Sequence, residues 1–264
     1  MGLVDYHTHT PLCGHAVGSP DDYVMAAAAS GLAEIGFSDH APLPEHLREG
    51  ITMTESQTES YLSLIESTRR NAGEKIKVRT GFEVDYPLHP SFDARYFTDP
   101  RIDYLIGSCH FIDEWPFDHP DYIEEYSNRD IDEIYKRYYE LLAGLILAGK
   151  FNIVGHLDLV KKFGHRPRRS FSGEIRALFR SMVHGDMAVE INTAGLRKPV
   201  KEMYPSREIV GELFNLNVPM TLGSDAHTPE EVGYEFIKAV EMLKSAGYRK
   251  ISGFEKRKRF DITL

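Results

Sequence analysis

Seven short apolar runs, at residues 3–6, 33–37, 76–82, 104–107, 151–154, 188–191 and 218–222, punctuate this chain, with room for a helix between most of them. Each has the length of a buried strand. The stretches 20–30, 56–70, 130–147, 172–183, 206–214 and 229–245 carry helical spacing of apolar residues. Two of them have explicit start signals: Ser19-Pro20-Asp21-Asp22 and Thr228-Pro229-Glu230-Glu231 set a capping side chain before a proline and acids. Strand followed by helix, repeated, dictates a parallel sheet or barrel, because parallel neighbours need crossover connections. With 264 residues and no repeat, low-complexity tract or linker, residues 1–264 read as a single α/β domain. Residues 86–100 and 111–128 depart from the pattern; rich in Pro, Asp, His and aromatics, they read as long loops of the kind that shape active sites.

Composition narrows the functional classes. At 42% hydrophobic and 27% charged the chain is globular rather than disordered, and a formal charge of -9 argues against binding nucleic acid or an anionic membrane through bulk charge. No basic segment leads into an apolar core at the N-terminus, and no apolar run reaches membrane-spanning length, so the expected location is the cytoplasm. The two cysteines, Cys13 and Cys109, cannot build a disulfide framework, which points to a reducing compartment; Cys109 reads as a core thiol. No stretch stands out as a subunit interface.

The chemistry sits at the strand ends. His7 and His9 end the first run, Asp39-His40 the second, Glu83 the third, His110 the fourth, His156 the fifth, and Asp225 and His227 the seventh. In a parallel barrel those ends share one rim, where such folds assemble sites from loops and strand termini. Residues two apart on a strand point to the same side, about 7 Å apart by the rise per residue. His7 with His9, and Asp225 with His227, can therefore each grip a cation, and Asp5, on the same face as His7, could orient a ligand imidazole. Imidazole mixed with carboxylate, without clustered thiols, suits zinc, iron or manganese. His46, His89, His119, His165 and His184 read as solvated or singly hydrogen-bonded.

These residues also carry a resemblance. Asp5-Tyr6-His7-Thr8-His9-Thr10, His15, Ser38-Asp39-His40, Gly81-Phe82-Glu83, Ser108-Cys109-His110, Gly155-His156 and Gly223-Ser224-Asp225-Ala226-His227, in that order, resemble the PHP (polymerase and histidinol phosphatase) family. Residues 107–113 and 115–118, residues 190–198 and the extended loop after Glu83 are most similar to its histidinol-phosphate phosphatases. The resemblance implies a distorted (β/α)7 barrel, TIM-like, with three divalent ions at the C-terminal rim of the strands. His7, His9, Glu83 and Asp225 would hold one ion; Glu83 would bridge to a second held by His110 and His156; His15, His40 and His227 would hold the third.

Three divalent ions against two ligating carboxylates leave a local excess of about +4, which suits an anion. A solvent hydroxide held by the ions would attack phosphorus in line, with no covalent enzyme intermediate. Arg197 is the expected phosphate contact because a guanidinium fork matches phosphate geometry; Lys161, Lys162 and Arg166 are further candidates. Asp39 and His119 are candidates for the acid that protonates the leaving alkoxide. Trp115, Phe117 and Asp118 could supply flat walls and an acid for the cationic remainder of L-histidinol phosphate, although Trp115 and Phe117 could equally anchor their loop to the barrel. The implied activity is hydrolysis of L-histidinol phosphate in histidine biosynthesis. The alternatives are another small phosphate ester, such as a nucleotide or sugar phosphate, and a noncatalytic metal-binding accessory domain.

Overall fold

The computed structural model describes residues 2–48, 50–90, 92–182 and 186–264; His184, and Val183 at the end of one expected helix, lie outside them. Seven parallel strands lie side by side in chain order: β1 (Val4–Asp5), β2 (Glu34–Phe37), β3 (Lys77–Asp85), β4 (Tyr104–Ser108), β5 (Ile153–Val154), β6 (Ala188–Asn192) and β7 (Met220–Gly223). Tyr6 N donates to Leu222 O at 3.1 Å, and Thr8 bridges Ala226 in parallel, so the sheet curls until its first and last strands meet. Every residue of β2, β4, β6 and β7 is buried. Burial on both faces is why these strands read as continuous apolar runs rather than alternating ones. Large side chains fill the interior: Tyr104 donates to Tyr6 O at 2.7 Å and crosses Gly36, where a Cβ would stand 2.3 Å from its hydroxyl.

Helices α1 (Pro20–Ala29), α2 (Glu45–Arg48), α3 (Thr58–Ala72), α4 (Ile131–Ala148), α5 (Ser172–Met182), α6 (Arg207–Asn215) and α7 (Phe236–Ala246) complete the fold. The Ser19 and Asp22 side chains form a reciprocal capping box at α1, and Asp130 caps α4 by accepting from Asp132 N and Glu133 N. The expected helix 229–245 is broken. A 3-10 turn, Pro229–Glu231, precedes Gly233 at φ +67, whose N–H donates to Asp5 Oδ2 at 2.9 Å, and α7 begins only after this tether to β1. Between β3 and β4 no α-helix forms among the described residues; Phe92, Tyr96 and Phe97 pack that connection onto the core instead.

A C-terminal antiparallel hairpin, β8 (Lys250–Glu255) and β9 (Lys258–Thr263), lies beyond the strands expected from sequence. It covers the N-terminal end of the barrel: Phe254 N donates to Tyr6 Oη at 3.2 Å and Thr221 Oγ1 to Ser252 O at 2.9 Å. Beneath it, buried Glu34 accepts from Tyr6 Oη and Arg79 Nε, each at 2.8 Å. The opposite, C-terminal rim is left for chemistry. No helix among the described residues is long and apolar enough to cross a membrane.

Candidate metal centre

All nine residues expected as ligands converge at that rim. Glu83, at the end of β3, is the centre. Its Oε2 lies 3.1 Å from His7 Nε2, 3.1 Å from His40 Nδ1 and 3.7 Å from His9 Nε2, while Oε1 lies 2.9 Å from His156 Nε2 and 3.5 Å from His110 Nε2. The two oxygens of one carboxylate thus face two different groups of imidazoles, the arrangement a bridging ligand requires. Asp225 Oδ1 approaches His9 Nε2 at 3.4 Å, and its φ of +53 turns the chain so that β7 delivers it and, two residues on, His227 to the same side. His15 Nε2 and His227 Nε2 stand 2.9 Å apart, and His110 Nε2 and His156 Nε2 3.1 Å apart. Donors that share an ion at about 2.1 Å are separated by roughly 3 Å, so these spacings suit a cation between the nitrogens.

The far side of four rings is pinned. His7 Nδ1 is 2.7 Å from Glu190 Oε1, His110 Nδ1 2.8 Å from Asp85 Oδ1, His15 Nδ1 3.0 Å from Cys13 O, and His227 Nδ1 3.0 Å from Asp225 O. Each partner is an acceptor, so Nδ1 carries the proton and Nε2 presents its lone pair to the centre. His7 Nε2, both ring nitrogens of His9, and His40 Nδ1 are buried without a hydrogen-bond partner among the described residues. Buried donors and acceptors of that kind are expensive unless something occupies the space between them. The residues present therefore fit metal ions, and groups such as His15–His40–His227 and His7–His9–Asp225 gather ligand atoms within 4.8 Å.

Electrostatics agrees. Burial pushes His9 and His40 down to about 3 and His227 to about 4. Burial would raise Glu83 and Asp225, but the imidazoles, His7 foremost, hold both well below the usual carboxylate range. Against the opposing effect of burial, Glu190, Glu83 and Asp225 raise His7 well above its ordinary value, and Asp85 and Glu83 raise His110 to about 10. Ionised acids and neutral rings are the forms that bind cations, and the acids draw positive charge even where a proton must supply it.

The centre floors a cavity of about 750 Å³. Arg197 lines it, with Nη2 donating to Ser224 O (2.9 Å) and Asp225 O (3.1 Å) and Nε 3.0 Å from Glu231 Oε1; Nη1 is buried and without a partner among the described residues. Lys162 and Asp118 line it as a pair, Nζ to Oδ2 at 2.9 Å, and His119 lies there too, its ring capping a 3-10 turn through Asp121 N. Phe111, Pro116, Ile123 and Phe163 supply apolar wall.

Other expected residues lie elsewhere. Asp39 is fully buried, both oxygens taken by Thr10 N and Oγ1 at 2.5 Å, and does not line the cavity. Lys161 is buried against Asp158, Glu202 and Met203 O, and Arg166 pairs with Glu202 on a different face. Trp115 packs edge-on to Tyr126 and Phe117 against Tyr138, so both anchor their loop, and apolar burial decides their orientation. Residues 86–100 contribute nothing to the cavity wall among the described residues. Asp5 holds Ser224 N and Oγ, His7 N and Gly233 N, and orients no imidazole among the described residues. His46 and His89 face each other, and His165 stacks on Tyr126.

Sequence reasoning missed Asp85, which holds His110, the cavity-lining Tyr204, and above all Glu190. Buried on β6, it holds His7 Nδ1 with one oxygen and His156 N (3.0 Å) and Asn192 Nδ2 (3.1 Å) with the other. Its signal was an acid inside an otherwise apolar run. Gly223 makes room for it: a Cβ there would stand 1.8 Å from Glu190 Oε1.

Comparison with known proteins places this geometry. Residues 5–194 match the family model described as PHP domain. A probable histidinol-phosphatase of Deinococcus radiodurans is 39% identical across 97% of this chain and 98% of its own length. The histidinol-phosphatase of Bacillus subtilis is 30% identical across 88% of this chain and 96% of its own. The crystal structure of the Lactococcus lactis histidinol phosphate phosphatase, complexed with zinc, L-histidinol and phosphate, shares the fold at a TM-score of 0.76 and 22% identity, covering 98% of this chain and 99% of that one. With the family match spanning most of its length and close relatives aligned nearly end to end, this chain belongs to the PHP-domain family.

Proposed function

We propose that this chain, acting as one unit over residues 1–264, is a metal-dependent phosphomonoesterase of the cytoplasm that hydrolyses L-histidinol phosphate to L-histidinol and phosphate. The relatives so named support the substrate. The observation that carries the chemistry is the convergence of seven imidazoles and two carboxylates on the floor of a cavity where Arg197 Nη1 has no partner among the described residues.

In this reading His7, His9, Glu83 and Asp225 hold one ion, Glu83 with His110 and His156 a second, and His15, His40 and His227 a third, drawn from zinc, iron and manganese. Such ions supply acidified solvent as nucleophile and neutralise charge on phosphoryl oxygens. Arg197 is fixed by Ser224 O, Asp225 O and Glu231, so its free Nη1 meets a phosphate oxygen without ordering a flexible side chain. Lys162 adds positive potential, and Asp118 beside it accepts the substrate's ammonium group. Phe111, Pro116, Ile123 and Phe163 shield the substrate's ring from water. Of the two candidates for leaving-group acid, only His119 reaches the cavity.

A panel of phosphate esters, covering histidinol phosphate, a nucleotide, a sugar phosphate and p-nitrophenyl phosphate, tests the reading on metal-analysed protein. The highest kcat/KM is expected for histidinol phosphate. A higher value for another ester, or no hydrolysis of any, overturns it.

A further inference from the structure

One residue of the cavity wall carries a buried hydroxyl. Tyr204 is 1% exposed, lines the cavity, and its Oη has no hydrogen-bond partner among the described residues. A buried tyrosine hydroxyl almost always finds an acceptor, so this one is either satisfied by solvent or reserved for a ligand. The ring cannot swing away to seek another partner. Tyr204 N and O pair with Asn192 O (2.9 Å) and Asn192 N (2.6 Å) across an antiparallel bridge. Lys161 Nζ stands 5.5 Å from the ring centre, and the His156 ring meets it edge-on at 6.4 Å. Gly195 passes so close that a Cβ there would lie 3.0 Å from the ring.

The ring that carries the hydroxyl is therefore fixed on the wall beside His156, while the Arg197 guanidinium, held by Asp225 O through Nη2, fixes Nη1 on the wall beside Asp225. Both come from the connection between β6 and α6. Burial, and after it the nearby carboxylates Asp158, Asp225 and Asp118, push the Tyr204 phenol up and keep it protonated. Two donors on the wall of the cavity that holds this centre, both without partners among the described residues, are complementary to the oxygens of a phosphoryl group.

We propose that Tyr204 Oη donates a hydrogen bond to a phosphoryl oxygen of the bound ester, forming with Arg197 Nη1 a pair of protein donors to the phosphate. This rests on the phosphoesterase reading above, though not on the identity of the alcohol. The test is Tyr204→Phe, which keeps the ring and removes only the hydroxyl, with inorganic phosphate as the binding probe. The inhibition constant for inorganic phosphate should weaken, and kcat/KM for phosphate esters fall, by about ten- to a hundredfold, the range for hydrogen bonds to charged groups. Metal content should match wild type, and the melting temperature without phosphate should be equal or higher, because an unpaired buried group has been removed. The stabilisation that added phosphate gives the wild type should shrink in the variant. A lower melting temperature with an unchanged phosphate inhibition constant overturns the inference, since it marks a hydroxyl bonded inside the protein. Wild type that prefers another phosphate ester defeats the substrate assignment alone, while wild type that neither binds phosphate nor cleaves any ester defeats both.

Discussion

Replacing Glu190 by Gln tests whether an orienting carboxylate, rather than the ligands alone, makes the centre. The change is nearly isosteric, so packing on β6 should survive. Three donors converge on Glu190, from His7 Nδ1 at 2.7 Å, His156 N at 3.0 Å and Asn192 Nδ2 at 3.1 Å. An amide offers one acceptor and one donor end, so neither flip satisfies both His7 and His156. If the amide nitrogen faces His7, that ring must shift its proton to Nε2 and lose the lone pair directed at Glu83 and Asp225. If it faces His156 N, two donors oppose each other in a buried site, at about 1–3 kcal/mol. Even the surviving bond loses charge assistance, about 1 kcal/mol more. The sum, about 2–4 kcal/mol, is roughly 30- to 700-fold, which overlaps the 10- to 100-fold losses in metal affinity or activity typical when such outer partners are removed and extends beyond them. Metal content by mass spectrometry after equilibration at buffered free metal, with turnover of the same sample, reads the effect. Wild-type metal content with wild-type turnover would refute the orienting role. Gly223→Ala, whose Cβ would press on the same oxygen, should reproduce the loss.

Glu83→Gln should remove bound metal and activity together, because both oxygens face imidazoles; undiminished turnover rules out bridging. Arg197→Ala should raise KM for the phosphate ester with metals retained, and identical kinetic constants would exclude the arginine from phosphate binding. Phe117→Leu should lower stability in urea by about 1–2 kcal/mol with KM unaltered, since the ring packs on Tyr138 rather than on the cavity; a change confined to KM would contradict that placement. Arg79→Met removes the buried cation beside Glu34 at the other end of the barrel, leaving it Tyr6 Oη and the exposed Lys77 Nζ at 3.4 Å, and should destabilise by about 1.5–3 kcal/mol, whereas a stability equal to wild type would show the pair to be dispensable.

The strands and the ligands were legible for the same reason: burial on both faces leaves apolar runs, and polar residues at their ends stand out against them. Glu190 was harder to see because it lies inside such a run, and its function depends on His7, which the sequence sets 183 residues away. Lys161 and Lys162 are neighbours in one tight turn, and only the turn's geometry decides that Lys161 meets Asp158 and Lys162 the cavity. Trp115 and Phe117 offered aromatic surface to either side of their loop, and the core took both. The β8–β9 hairpin escaped because its turn residues, Lys256 (φ 49) and Arg257 (φ 64), adopt the left-handed conformation without the Asn or Gly that usually announces it.

Returning metal stepwise to metal-free protein while following phosphate release from L-histidinol phosphate shows whether the rim of β1–β7 assembles a three-ion centre for phosphate-ester cleavage. Turnover should be absent without metal and reach its full rate only as the third equivalent binds. Turnover in the metal-free protein, or saturation at a single equivalent, would contradict such a centre.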